Sequence, residues 1–117
     1  MNIRLIPDTE DAQKFKTLID LIPIGITEAI AQRDLKRLLN MDTADLKKYV
    51  LDARKAGILI CSGDAGYYFP ANLAELREYY LRRRKYIHTA LIALHPFRQK
   101  VNEMTISAEE QTHEGNS

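Results

Sequence analysis

QRDLKRLLNMDTADLKKYVLDARKAG, residues 32–57, is the stretch that decides the fold, because it contains two short amphipathic helices with a three-residue turn between them. The first helix carries three leucines at the i, i+3, i+4 spacing of a buried helix face: Leu35, Leu38 and Leu39. Asn40 favours the left-handed conformation that closes a helix, and Asp42 is a typical cap for the next one. We therefore expect a helix-turn-helix, with Met41 pointing into the core between the two helices.

The second helix of this stretch separates its apolar residues from its basic ones. At 100° per residue, the apolar side consists of Leu46, Tyr49, Val50 and Ala53. A basic side consists of Ala44, Lys47, Lys48, Leu51, Arg54 and Lys55, and Asp45 and Asp52 lie on a third side. A helix in a DNA major groove has this arrangement, with lysine and arginine on phosphates and small or apolar residues near base edges. The alternative is that the basic side is only a solvated helix surface.

Two β-prone runs follow, ILIC at 58–61 and GYYF at 66–69, on either side of the turn SGDA. This spacing predicts a β-hairpin. A helix-turn-helix followed by a hairpin is the winged-helix arrangement, in which the hairpin packs beside the recognition helix. The hairpin tip has no lysine or arginine, so phosphate contacts would come from Ser62 and from backbone amides around Gly63 and Gly66. A purely structural hairpin is the alternative.

Residues 15–100 resemble the small winged-helix DNA-binding proteins of bacteriophages and prophages. The resemblance lies in LIDLIPIG (18–25), DLKRLLN (34–40), RKAGILICS (54–62) and GYYFP (66–70). It implies that Thr43, Ala44, Lys47, Lys48 and Leu51 face the groove and that residues 62–66 form the wing. The chain departs from the family pattern at Asn40, where glycine is usual, and at Ala31, where a serine or threonine cap is usual. Thr27 is therefore an alternative cap for an earlier helix start.

The composition indicates one ordinary globular domain with a modest core. The chain has 117 residues, of which 45% are hydrophobic and 28% are charged. One cysteine, Cys61, excludes an internal disulfide and a cysteine-based zinc site. The net charge of +1 is too low for a non-specific DNA-coating protein. Since the sequence shows neither a membrane span nor a signal peptide, we expect a protein of the bacterial host cytoplasm that does not bind membranes.

The N-terminal part is expected to complete a winged-helix domain at 1–70. Residues 1–7 are predicted to form an extra strand or an arm, and Asp8 and Thr9 are predicted to cap a first helix. The buried side of that helix is predicted to contain Ala12, Phe15, Ile19 and Ile22. Pro23 and Gly25 are predicted to end it.

A long C-terminal helix is expected at 71–104, beginning after Asn72 as its cap. Apolar residues alternate in threes and fours at Leu73, Leu76, Tyr80, Ile87, Ala90, Leu94, Phe97 and Val101, with Arg83 as the interruption. This seam predicts a homodimer through Leu76, Tyr80, Ile87, Ala90 and Leu94; the alternative is that the helix folds back on the first helix. Pro96 is predicted to kink or end the helix, and the polar tail at 105–117 is predicted to be disordered.

One run of this C-terminal helix is dense in positive charge. Residues 82–85 read RRRK and would bind DNA backbone or an acidic partner, unless they are a solvated face.

The sequence does not contain a catalytic or metal-binding pattern. His88 and His95 are seven residues apart, without a third ligand at metal spacing, and there is neither a nucleophile motif nor a phosphate-binding glycine loop. We therefore expect no enzyme, no cofactor and no metal.

The leading hypothesis is a sequence-specific double-stranded DNA-binding protein, a phage or prophage transcriptional regulator or DNA-transaction accessory factor. Helix 43–56 would lie in the major groove. The expected DNA-binding residues are Arg33, Thr43, Ala44, Lys47, Lys48, Leu51, Arg54, Lys55, Ser62 and Gly63. The alternative is a phage-encoded interaction module that inhibits or recruits a host protein, which the low net charge, the uncharged wing tip and the acidic tail favour. RNA binding is weakly supported, because the aromatic residues do not form a recognisable stacking platform.

Overall fold

The protein is mostly helical, with a two-stranded antiparallel hairpin and a long C-terminal helix, as the sequence predicts. The computed structural model describes residues 10–115, and the side chains of residues 10–111. The elements are α1 (Glu10–Lys14), α2 (Lys16–Leu21), a 3-10 turn (Ile26–Glu28), α3 (Gln32–Leu39), α4 (Thr43–Lys55), β1 (Cys61–Gly63), β2 (Gly66–Tyr68) and α5 (Leu73–Gly115). The chain divides into two compact units, of which the first ends at Tyr80 and the second begins at Leu81.

The core of the first unit is formed by side chains from α2, α3, α4 and the hairpin region. Its buried residues are Phe15, Leu18, Ile22, Leu35, Leu46, Val50, Ala53, Ile58, Ile60, Tyr67 and Phe69. Phe15 and Ile22 are buried as predicted, and Ile19 packs partly against the core. Leu18 is also fully buried, although the sequence analysis did not include it. The predicted arm at 1–7 and the predicted caps Asp8 and Thr9 lie outside the described residues.

Helix α3 meets the core along a narrower face than its leucine pattern predicts. Leu35 is fully buried and Leu39 packs partly against the core, but Leu38 is 56% exposed. The prediction for Leu38 is wrong because it is rotated by about 60° from Leu35, on the side away from Leu39. Met41 is only half-buried, and it lines a surface recess instead of pointing into the core.

The ends of α3 follow local backbone preferences. Ala31 occupies the N-cap position without a side-chain hydrogen bond, and Thr27 lies in the 3-10 turn, so the alternative of an earlier helix start is wrong. Asn40 has φ 53° and ψ 49°, the left-handed conformation that the sequence predicts. The Met41 amide donates to the Lys36 carbonyl at 3.0 Å, which closes α3 with the hydrogen bond of a Schellman motif.

Helix α4 is capped at both ends. The Asp42 carboxylate accepts a hydrogen bond from the Asp45 amide at 2.8 Å, which confirms the predicted N-cap. At the other end, Gly57 has φ 90° and its amide donates to the Arg54 carbonyl at 3.0 Å. The Ile58 amide donates to the Ala53 carbonyl, also at 3.0 Å, and both side chains are buried. A Schellman motif therefore ends α4 and turns the chain into the core.

The hairpin is present, but its first strand is shifted from the predicted one. β1 begins at Cys61, which pairs with Tyr68, and Gly63 pairs with Gly66 across the turn. Ile58 and Ile60 precede the strand and are buried, because the chain leaving α4 uses these side chains to fill the core. Cys61 is buried.

Strand β2 also bonds to the segment that joins α2 to α3. Tyr67 and Ile30 form an antiparallel bridge, in which the Ile30 amide donates to the Tyr67 carbonyl at 2.9 Å and the Tyr67 amide donates back at 2.8 Å. Phe69 forms a parallel bridge with Ile24. These two bridges join the segment between α2 and α3 to the hairpin.

Helix α5 begins with the predicted cap. The Glu75 amide donates to the Asn72 side-chain oxygen at 3.0 Å. The Glu75 carboxylate in turn accepts from the Ile26 amide at 2.8 Å and from the Ala71 amide at 3.4 Å. This carboxylate therefore attaches the start of α5 to the 3-10 turn.

Two expectations for α5 differ from the structure. The helix does not end at Pro96, which was one of the two predicted effects of this proline. Proline lacks the N–H that would bond to the Ile92 carbonyl, and the helix continues beyond it. The tail predicted to be disordered from residue 105 is helical up to Gly115. Residues 108–111 read AEEQ, and such helix formers extend an existing helix at little cost.

Candidate nucleic-acid interface

The exposed side of α4 brings together most of the residues predicted to bind DNA. We call this set the α4 surface: Thr43, Ala44, Lys47, Lys48, Leu51 and Lys55, all of which are exposed. Leu51 is 48% exposed, so this surface presents a large apolar side chain beside the lysines. Asp45 and Asp52 lie outside this arc, as the helical spacing predicts. The α4 surface therefore combines three lysines with small and apolar side chains.

The opposite side of α4 holds the helix firmly in the first unit. Leu46, Val50 and Ala53 are at most 2% exposed. The Tyr49 ring packs against the Phe15 ring with centroids 5.0 Å apart, and the Tyr49 hydroxyl donates to the Lys14 carbonyl at 3.2 Å. These contacts set the rotation of α4 about its axis, so they decide which residues form the α4 surface.

Arg54, which was predicted to bind DNA, is engaged within the protein. Its Nε donates to the Ile60 carbonyl at 2.8 Å, and a terminal nitrogen donates to the Ser62 hydroxyl at 3.2 Å. Its guanidinium carbon lies 5.6 Å from the centroid of the Tyr79 ring. Arg54 therefore positions β1 against α4, and the Ser62 hydroxyl, also predicted to contact phosphate, accepts one of these hydrogen bonds.

The tip of the hairpin is exposed, and the expectation that it is uncharged is wrong, because Asp64 places an acidic side chain there. Gly63, Asp64 and Ala65 are all exposed, so the Gly63 backbone is accessible as predicted. The Asp64 carboxylate beside it would repel a phosphate group. The tip is therefore the least favourable part of the predicted interface for an anion.

Arg33 lies in a separate basic recess beside the turn that precedes α4. The recess is lined by Arg33, Lys36, Arg37, Asn40, Met41 and Asp42. Asp34 offsets part of this charge, since its carboxylate lies 3.2 Å from an Arg37 nitrogen and 3.9 Å from Arg33 Nε. Lys36 and Arg37 were not among the predicted site residues, although their i+3 and i+4 spacing from Arg33 indicates a shared helix face.

Tyr67, in β2, is a titratable group whose environment changes its pKa. Burial of the phenol raises the pKa of Tyr67 above its usual value, and the Arg54 charge offsets part of this increase.

The residues predicted for dimerisation fall into two groups. Leu76 is half-buried within the first unit, whereas Tyr80, Ile87, Ala90 and Leu94 are exposed along α5. Arg83 lies with its guanidinium carbon 5.5 Å from the centroid of the Tyr86 ring.

Within the described part of the chain, His, Cys, Asp and Glu side chains do not form a group of three that could hold a metal ion. Among the described helices, none has a stretch both long and apolar enough to cross a membrane. Comparisons of the chain with protein-family models, with curated proteins and with solved structures found no match.

Proposed function

We propose that this protein is a winged helix-turn-helix protein that binds double-stranded DNA in a sequence-specific manner, with α4 in the major groove. The order of elements supports the proposal. A helical segment leads to α3 and α4, a three-residue turn separates these two helices, and a hairpin follows α4 directly. The bridge between Ile30 and Tyr67 adds a short extended segment ahead of α3. A winged helix has this succession of helices and hairpin.

The α4 surface is the observation that carries the proposal. Three lysines and three small or apolar residues share one exposed side of a helix whose other side is buried. Lysines of such a helix contact phosphates, while short side chains let the helix approach the bases. In this proposal, Lys47, Lys48 and Lys55 contact phosphates, and Thr43, Ala44 and Leu51 face base edges, with Ala44 or Leu51 suited to a thymine methyl group.

The basic recess and the hairpin have supporting roles in this proposal. Arg33, Lys36 and Arg37 contact the DNA backbone beside the groove, and the exposed Gly63 amide is available to a phosphate. Arg54 and Ser62 act indirectly, because their hydrogen bonds hold the hairpin against α4. We further propose that the biological role is that of a phage or prophage transcriptional regulator or an accessory factor in DNA transactions.

The first test is fluorescence-anisotropy titration of the protein with duplex DNA at several salt concentrations. The Lys47→Ala/Lys48→Ala variant should bind more weakly, and its log–log salt slope should fall by about 2, since each phosphate contact contributes roughly 0.9. The Lys16→Ala/Lys100→Ala variant is the matched control, because it removes the same charge at two exposed lysines outside the α4 surface. Equal losses in both variants, or no binding at low salt, would overturn the proposal.

Sequence specificity is tested by selecting bound duplexes from a random library. Wild-type protein should enrich one motif, and Leu51→Ala should relax the preference at one or two base pairs, with about 1–3 kcal/mol lost per base contact. Enrichment of no motif by wild-type protein would reduce the proposal to non-specific binding.

A second candidate function is an interaction module that inhibits or recruits a host protein. The exposed Asp64 at the hairpin tip and the net charge of +1 favour this function over DNA binding. The two functions are distinguished by the anisotropy titration, because a module of this kind would show no salt-sensitive affinity for DNA.

A further inference from the structure

The second unit exposes a continuous apolar seam along α5. Its residues are Ile87, Ala90, Leu94, Phe97, Val101 and Met104, and their spacing alternates between three and four. All except Ala90 are large side chains that are between 51% and 70% exposed. This alternation is the a/d pattern of a coiled coil, and exposed apolar patches of this length mark interaction surfaces. Pro96 lies at position c of the same repeat, outside the seam.

The seam continues at both ends into residues that distinguish the two possible helix orientations. On the N-terminal side, the next d position is Arg83, a charged residue in the middle of the seam. On the C-terminal side, the next a position is Ala108, the smallest side chain of the seam together with Ala90. A parallel pair places Arg83 opposite Arg83 and Ala108 opposite Ala108, whereas an antiparallel pair places Arg83 opposite Ala108. The two orientations therefore differ in whether the arginines meet.

The charges around the seam also change along α5, from basic near its N-terminal end to acidic near its C-terminal end. Residues 82–85 are all basic, and Arg98 and Lys100 follow them. Beyond Lys100, the described charged side chains are acidic: Glu103, Glu109 and Glu110. The second unit therefore has a basic N-terminal part and an acidic C-terminal part.

A parallel, in-register pair would place like charges together. The two Arg83 side chains would meet in one d layer, and each run at 82–85 would lie beside its counterpart. Like charges at such short distance repel each other, and burying an arginine against another arginine leaves two unpaired charges.

An antiparallel pair removes both problems. When Leu94 faces Phe97 of the second copy, Ile87 faces Met104 and Ala90 faces Val101, so every layer pairs an a residue with a d residue. Arg83 then faces Ala108, whose small side chain leaves room for the guanidinium, and Glu109 and Glu110 of the second copy follow at the outward b and c positions. The basic part of each helix lies along the acidic part of the other.

We propose that the second unit forms a homodimer through this seam, as an antiparallel pair of α5 helices with Leu94 and Phe97 in its central layers. The occupant of the seam is thus a second copy of this chain. The pairing does not depend on the proposed DNA binding, since it involves only residues of the second unit.

The orientation is tested by measuring distances between spin labels in the full-length protein. Cys61→Ala removes the native thiol, and a label is introduced by Lys85→Cys or by Gln99→Cys, both at outward f positions. In the antiparallel pair the two labels are offset along the axis by about 30 Å at position 85 and by about 10 Å at position 99. In a parallel pair the two positions would give the same distance, and that result would overturn the proposal.

A second test measures the mass of the protein in solution and the dimer dissociation constants of charge-reversal variants. The chain should form dimers, and Arg82→Glu/Arg84→Glu should raise the dimer dissociation constant about tenfold at low salt, given a few tenths of a kcal/mol per exposed ion pair. Adding Glu109→Lys/Glu110→Lys should restore the affinity, because attraction between the two ends returns.

Lys47→Glu/Lys48→Glu is the matched control for this series, because it reverses two charges in the first unit and should leave the dimer unchanged. A monomer, an assembly of more than two chains, or a charge reversal without effect would contradict the proposal. In a parallel dimer, reversal would leave like charges facing each other and so would not change the affinity.

Discussion

Gly66 is the position where one added methyl group should cost this fold most. Its φ is +123°, a region that side-chain-bearing residues rarely adopt. A Cβ at this position would overlap the Ile30 carbonyl oxygen and would lie 2.8 Å from the Ala31 Cα. Both neighbours are backbone atoms, so they cannot move aside as a flexible side chain can. Gly66→Ala therefore has to separate β2 from the segment before α3.

The cost of Gly66→Ala follows from the two effects of the added methyl group. The backbone conformation alone costs about 1–3 kcal/mol for a non-glycine residue. Moving Ile30 away also breaks or lengthens its two hydrogen bonds with Tyr67, each worth roughly 1 kcal/mol. The lower entropy of the unfolded alanine chain returns about 0.4–1 kcal/mol. We expect a net loss of about 3 kcal/mol in the free energy of unfolding.

Urea denaturation followed by near-UV circular dichroism measures this loss, because the buried Tyr67 and Tyr68 report on the hairpin. Gly63→Ala is the matched control, since Gly63 pairs with Gly66 across the same turn, is exposed and does not have a positive φ. The control should change stability by less than about 1 kcal/mol. If the two variants lose the same stability, the close approach of β2 to Ile30 does not govern this site.

Two further predictions concern polar groups of the first unit. Glu75→Ala should lower the free energy of unfolding by about 1–2 kcal/mol, because it leaves the part-buried Ile26 amide without its carboxylate acceptor. Glu78→Ala, at an exposed position, is the control in the same urea titration. An equal effect of the two substitutions would refute the role of Glu75. Because the pKa of Tyr67 is raised in the folded protein, the unfolded chain releases the Tyr67 proton at a lower pH than the folded chain does. The contribution of this group to stability is therefore unchanged below about pH 10 and falls above it. Tyr67→Phe should reduce the decrease in the free energy of unfolding measured between pH 9 and 11, and an unchanged pH profile would show that another group causes this decrease.

The sequence predicted the elements whose causes are local. Asn40 and Asp42 end one helix and start the next through their own conformational and hydrogen-bonding preferences, and both act as predicted. The buried residues of α4 follow from a 3.6-residue period, and Leu46, Val50 and Ala53 obey it. The same period places the lysines of the α4 surface, so most of the candidate site could be predicted before its position in the fold was known.

Two differences between the expectations and the structure come from contacts between distant parts of the chain. Leu38 matches the helical period, yet it is exposed because α3 is short and the core contacts it only around Leu35 and Leu39. Arg54 is indistinguishable by spacing from the lysines around it, but the hairpin that follows brings Ile60 and Ser62 within its reach. A periodic pattern indicates which residues share one side of a helix. It does not indicate how much of that side the neighbouring segments cover.

The sequence by itself determined α3, α4 and the turn between them, the presence of the hairpin and the apolar seam of α5, because backbone preferences and periodic hydrophobicity act over a few residues. Only the tertiary structure decided that Arg54 supports the hairpin and that Gly66 has to be glycine against Ile30. It also showed that Glu75 holds the Ile26 amide, 49 residues away in the chain. These contacts form between segments that are distant in the sequence and adjacent in the fold. The spacing of residues along the chain does not predict which distant segments become adjacent.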